Sequence, residues 1–203
     1  TDTLRTLPER ERLSGLAGVV KYGLIEASCL EAATEPDQTG FFDWLVTHSG
    51  NLPSVYPEMI RRCCALKAAV VMKDEFETKG LRYYLNLGHT FGHAYESLSR
   101  YELLHGEAVA IGTVHAANLA TRLGMFPTHA AHAVKALLEA LGLSSALQQA
   151  NAYPPEELLA RMRQDKKNHG SAIRLVLPKE RLGQVVVRDD IPDTEILAVL
   201  AAP

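Results

Sequence analysis

Apolar residues return every three or four positions along most of this chain. Between 8 and 29 they fall at Leu13, Leu16, Val19, Val20, Leu24 and Ile25, a spacing that lays one stripe along an α-helix. Pro8, Glu9 and Glu11 open that stretch with a helix-start pattern. The same period at Val55, Met59, Ile60, Cys63, Leu66 and Val70 predicts a helix over 54–73. Further helices are predicted over 41–47, 85–99, 104–123, 128–141 and 155–164, with a short one over 191–203. Gly124 and Pro127 separate two of them. Segments 33–40 and 75–80 read as loops. Only 172–177 and 184–188 are β-rich, and they predict one hairpin with a longer loop at 178–183. The expected class is therefore mainly α, a single multi-helix domain over 1–203 with one small β-hairpin near its end. No glycine-rich strand-to-helix turn is present, so no dinucleotide fold is encoded.

Charge narrows the partners. With 21 basic and 24 acidic residues the net charge is -3, which argues against nucleic-acid or membrane-surface binding through bulk electrostatics. No run of 18 uncharged apolar residues occurs, so no membrane span is expected. The opening residues match neither a signal nor a transit peptide and lack a methionine, reading as a processed or excised chain. Cys29, Cys63 and Cys64 show no CxxC spacing. They read as free thiols, mostly buried, in a reducing and hence cytoplasmic setting.

The chemistry concentrates in Asn86-Leu-Gly-His-Thr-Phe-Gly-His-Ala-Tyr-Glu. His89 and His93 are four apart, which puts both imidazoles on one helical face. His105 follows at the start of the next predicted helix, and a short connection lets it return to His89. Three imidazoles suit a catalytic zinc, which takes three protein ligands and water. The spacing alone serves hydrogen-bonded structural histidines equally well. Thr90 after His89 excludes the metalloprotease pattern. Gly88 and Gly92 cost about 1 kcal/mol each inside a helix, which points to close approach of backbone or ligand, or to tight helix packing. Lys21, Lys67, Arg82, Lys166 and Lys167 form a cationic set. Arg82 and Asn86, four apart, are placed to face one anion. Glu75 and Glu77 offer carboxylates in the preceding loop.

Taken in order, these stretches resemble the C-terminal, metal-binding half of 3-dehydroquinate synthase, of the sugar-phosphate cyclase group. The resemblance runs through Ser14-Gly-Leu-Ala-Gly-Val-Val-Lys-Tyr-Gly, Arg61-Arg-Cys-Cys-Ala-Leu-Lys, Asp74-Glu-Phe-Glu, the histidine segment, Leu104-His-Gly-Glu-Ala and Arg163-Gln-Asp-Lys-Lys. It implies conversion of 3-deoxy-arabino-heptulosonate 7-phosphate to 3-dehydroquinate and phosphate, in the shikimate pathway of aromatic amino-acid biosynthesis. NAD and a divalent metal, usually zinc with cobalt as an alternative, are the implied cofactors. A sugar-phosphate substrate and a homodimer are the implied partners. By the same resemblance His89 and His105 would be metal ligands. His93, Lys21 and Glu77 would be catalytic. Lys67, Arg82, Asn86, Lys166 and Lys167 would bind substrate, and Thr3, Leu4, Arg5 and Thr6 would touch NAD.

Two departures shape the expectations. The family carries a metal-ligating glutamate in Ala-Glu-Val-Ile-Lys, whereas this chain reads Ala17-Gly-Val-Val-Lys, with Gly18 at the ligand position. Glycine has no side chain to ligate, so divalent-metal affinity should fall. The family's N-terminal NAD-binding half is also absent here, so the chain alone should not turn over. A catalytically degenerate domain and a sister cyclase such as 2-deoxy-scyllo-inosose synthase are the alternatives.

Overall fold

In the computed structural model the described residues are 2–30, 40–164 and 172–202. A 3-10 turn at Asp2–Arg5 leads into α1 (Glu9–Leu30). After α2 (Phe41–His48) and a 3-10 stretch at Ser49–Val55 comes α3 (Tyr56–Lys73). A third 3-10 segment, Leu81–Asn86, precedes α4 (His89–Leu98) and α5 (His105–Arg122). Then follow α6 (Thr128–Leu138), α7 (Ser144–Leu147) and α8 (Pro155–Arg163). Strands β1 (Leu175–Lys179) and β2 (Arg181–Arg188) come next, and α9 (Asp193–Leu200) ends the described chain. Segment 33–40, read as a loop, lies outside the described residues except for Gly40.

Helix α5 is the axis of the core. Ala108 to Ala117 are buried without a break, as are Leu119 and Ala120. A helix apolar on every side must be enclosed, and here α1, α4, α6, α9 and β1 surround it. Its small residues set the packing distance. A Cβ on Gly106 would lie 1.8 Å from the Ser14 carbonyl oxygen, and one on Gly112 would lie 2.0 Å from that of Gly88. By length and composition alone, α1 is long and apolar enough to cross a membrane. The structure gives that pattern another use: Leu16, Ala17, Val20, Leu24 and Ile25 are buried where α1 meets α2, α3, α5 and β2.

Three boundaries differ from the sequence expectation. The helix expected from residue 85 begins at His89, because Gly88 takes φ +78° and closes off the 3-10 segment before it. That conformation is cheap for glycine and strained for other residues. The helix expected over 128–141 ends at Leu138 and widens into a π turn, Glu139–Leu143, around Gly142 at φ +93°. The hairpin is tighter than expected. Pro178 pairs with Val185 inside the ladder, and Glu180 (φ +58°) makes the turn. A proline is tolerated there because both strands of a two-stranded sheet are edges.

The core also encloses a polar pair. The Tyr95 hydroxyl donates to the Ala150 carbonyl (2.6 Å) and so accepts the Nε2–H of His115 (2.9 Å). His115 is wholly buried, and that burial pushes its pKa down to about 4, opposed by the nearby Val199 carbonyl. Nδ1 closes no hydrogen bond of normal geometry. The thiols match expectation in part: Cys29 is buried, Cys63 half-buried and Cys64 exposed. Burial raises both Cys29 and Cys63 to about 12, so neither is a thiolate at neutral pH.

Candidate metal and substrate site

Three devices aim the histidines. Gly88 turns the chain so that His89 is the first residue of α4, and His93 follows one turn later on the same face. His105 opens α5. That helix start is clamped: the Glu107 carboxylate accepts the Leu104 N–H (2.9 Å) and both Nε and Nη2 of Arg10 (2.7 Å each). Burial works to raise the Glu107 pKa, but these bonds outweigh it and hold the group ionised. Gly106 N–H donates to Ser14 Oγ at 3.0 Å, so α1 is pinned to the turn that carries His105.

The rings converge. Centroids are 5.1 Å apart for His89 and His105, 5.6 Å for His89 and His93, and 6.1 Å for His93 and His105. His89 Nδ1–H donates to the Leu87 carbonyl (3.1 Å). Burial, with the Lys21 charge acting the same way, pushes the His89 pKa down to about 3. A neutral imidazole with its proton on Nδ1 presents Nε2 as the lone-pair atom. His105 repeats the arrangement, with Nδ1 at 3.2 Å from Glu96 Oε1. Metal-binding histidines are held in this way, one nitrogen tied to an acceptor and the other left to the ion. The donor set therefore fits a divalent cation. One side is open, since the His105 side chain is 56% exposed.

Gly18 shares the face of α1 that carries Ser14 and Lys21. Ser14 touches the start of α5, and the Lys21 charge is felt at His89. Gly18 lies between them, four residues after one and three before the other, on one face of α1. A Cβ built there meets nothing within 4 Å. The position has room for a side chain and supplies no ligand.

The other predicted residues divide. Lys21 Nζ donates to the Leu85 carbonyl (2.9 Å), which ties α1 to the segment that ends at Asn86. Lys67 is exposed, one turn beyond Cys63, and Cys63 itself feels the Lys21 charge. Arg82 and Glu77 are turned toward each other: Nε and Oε1 are 3.0 Å apart, and Arg82 also donates to the Glu75 carbonyl (3.2 Å). Thr3, Leu4, Arg5 and Thr6 lie in and beside the first 3-10 turn, where Thr6 Oγ1 donates to the Thr3 carbonyl (3.3 Å). Leu4 lines a cleft of about 750 Å³ with Arg12, Pro53 and Tyr56, and none of the histidines lines it. Lys166 and Lys167 lie outside the described residues.

Sequence reasoning missed two carboxylates. Buried Asp74 accepts N–H groups from Lys79 (2.9 Å) and Arg82 (3.4 Å), which shapes the loop that presents Arg82. Those backbone bonds lower its pKa despite burial. Glu96 joins the histidines. Ligand atoms of His93, Glu96 and His105 lie within 4.8 Å of one another. The signal was its position, three residues after His93 and so on the same helical face.

This architecture places the chain among the cyclases. Over 97% of its length it matches 52% of the 2-epi-5-epi-valiolone synthase of Streptomyces hygroscopicus subsp. jinggangensis, solved with NAD+ and Zn2+ bound, with a TM-score of 0.79 and 26% identity. The family model described as 3-dehydroquinate synthase C-terminal matches residues 15–168. The 3-dehydroquinate synthase of Acidithiobacillus ferrooxidans is 44% identical over 207 residues, covering 100% of this chain and 52% of the relative. That of Xanthomonas oryzae pv. oryzae is 43% identical over 211 residues, covering 99% and 53%. The chain belongs to the 3-dehydroquinate synthase family and corresponds to its C-terminal half. It spans about half the length of these relatives.

Proposed function

We propose that this chain is the metal- and substrate-binding half of a 3-dehydroquinate synthase, acting on 3-deoxy-arabino-heptulosonate 7-phosphate in a cytoplasmic homodimer. The observation that carries the reading is the convergence of His89, His93 and His105 beside Lys21. His89 and His105 would hold a divalent ion, zinc or cobalt, with Nδ1 of each ring tied to an acceptor. When bound, that ion would supply Lewis-acid chemistry toward substrate hydroxyls, and NAD would supply the redox chemistry. His93 hydrogen-bonds the substrate and handles a proton at its hydroxyl oxygen. Lys21 places positive charge beside the same oxygens, where negative charge develops. Lys67, Arg82 and Asn86, with Lys166 and Lys167, bind the carboxylate and phosphate ends. Glu77 holds the Arg82 guanidinium until the substrate's anion competes for it.

A second reading rests on Gly18. A site that lacks its carboxylate ligand can persist as a ligand-binding domain without turnover. The 44% identity to 3-dehydroquinate synthases, against 26% to the valiolone synthase, favours the first reading over a sister cyclase.

Phosphate release distinguishes these readings, measured with NAD+ and Zn2+. One sample is the chain alone; the other is the chain fused to the N-terminal half of the Acidithiobacillus ferrooxidans relative. The expected result is no release by the chain alone and substrate-dependent release by the fusion, reduced about 100-fold or more by His93→Ala. Release by the chain alone would overturn its role as a half. A fusion that binds zinc and substrate yet releases nothing would establish the silent domain.

A further inference from the structure

The site as described has a charge problem. Two neutral imidazoles bring no negative charge to a divalent ion, and Gly18 brings none either. One face of α4 carries His89, His93 and Glu96, at intervals of four and three residues. The Glu96 side chain is only 14% exposed. Among the described residues its carboxylate has one partner, Nδ1 of His105, at 3.2 Å. No lysine or arginine there pairs with it. A carboxylate so far withdrawn from water, with only the imidazoles of His93 and His105 for company, is incompletely compensated unless a cation sits among them.

We infer that Glu96 is the charge-bearing positioning residue of the metal centre, replacing through His105 the negative charge that residue 18 does not supply. It accepts the Nδ1–H of His105, orients Nε2 toward the ion and makes that nitrogen a stronger donor. Carboxylate partners of this kind set metal affinity by about 10- to 100-fold. The inference rests on the reading of His89 and His105 as ligands, and its test separates the two.

The experiment measures Zn2+ affinity by competition with a chromophoric chelator, and the visible spectrum of the Co2+ form. Far-UV circular dichroism confirms that each variant is folded. Glu96→Gln keeps an acceptor for His105 but removes the charge; Glu96→Ala removes both. The expected result is at least a tenfold loss of Zn2+ affinity in Glu96→Gln, a larger loss in Glu96→Ala and a shifted Co2+ spectrum in both. Gly18→Glu combined with Glu96→Gln recovers tenfold or more, because it restores a negative charge from the opposite side. Binding by both Glu96 variants within twofold of the parent, with His105→Ala still abolishing it, would overturn the role of Glu96 alone. Binding indifferent to His89→Ala and His105→Ala would overturn the ligand assignment and this inference with it. A parent chain that binds no zinc would show that Glu96 does not supply the missing charge.

Discussion

Replacing His115 by phenylalanine should flatten the acid side of this protein's stability profile. His115 is fully buried between the rings of Phe91 and Tyr95, with centroids 5.5 and 5.7 Å away. Its pKa is about 4 in the folded chain, against about 6.5 when unfolded. A depressed histidine pKa means the unfolded chain binds the extra proton first as pH falls. Stability from this group is therefore complete above about pH 6.5 and is lost progressively down to about pH 4. The full shift corresponds to about 3 kcal/mol, of which about 2 kcal/mol is lost between pH 7 and pH 5. His115→Phe keeps the ring stack and leaves the Tyr95–Ala150 hydrogen bond in place. It has nothing to titrate, although the larger ring costs about 1–3 kcal/mol at every pH. Urea unfolding followed through the single tryptophan, Trp44, reads the difference at pH 7 and pH 5. The parent should lose about 2 kcal/mol more than the variant over that interval. Other acid-sensitive groups are common to both proteins and cancel. Equal losses would refute the burial argument.

Three further predictions follow from the packing and the site. Gly106→Ala should destabilise the fold by about 3 kcal/mol or more, because its Cβ would overlap the Ser14 backbone; an unchanged urea midpoint would contradict the close approach of α1 and α5. Gly18→Glu should raise Zn2+ affinity at least tenfold by calorimetry. It should also add about 0.5 kcal/mol of stability from helix propensity; unchanged zinc binding would mean that position 18 does not face the histidines. Of the three cysteines, Cys64 alone should react promptly with a thiol reagent in the folded protein, with Cys29 and Cys63 following on denaturation; three prompt thiols would contradict the burial.

Much of this arrangement is legible in the residues because helix burial is a local pattern. The stripe from Leu13 to Ile25 predicts α1 and its inward face, and the period over 104–123 predicts α5. The failures have local causes too. Gly88 sits in a run that is periodic on both sides, so nothing short of the backbone conformation reveals that the helix starts after it. Pro178 reads as a loop residue until its strand is seen to have a free edge. His89, His93 and His105 are visible as a group from spacing and connection length. Glu96 is not, since one glutamate on a helix reads as a solvated charge. Only the return of α5, which brings His105 against it, changes that reading. The Glu107–Arg10 clamp is hidden for the same reason, as its partners are 97 residues apart.

The central claim is that His89 and His105 form a divalent-metal site despite glycine at position 18. Zinc stoichiometry and affinity of the purified chain, titrated by calorimetry beside His89→Ala, test it most directly. The account predicts one ion per chain, with binding lost in the variant. Binding that survives His89→Ala, or none in the parent, would contradict it.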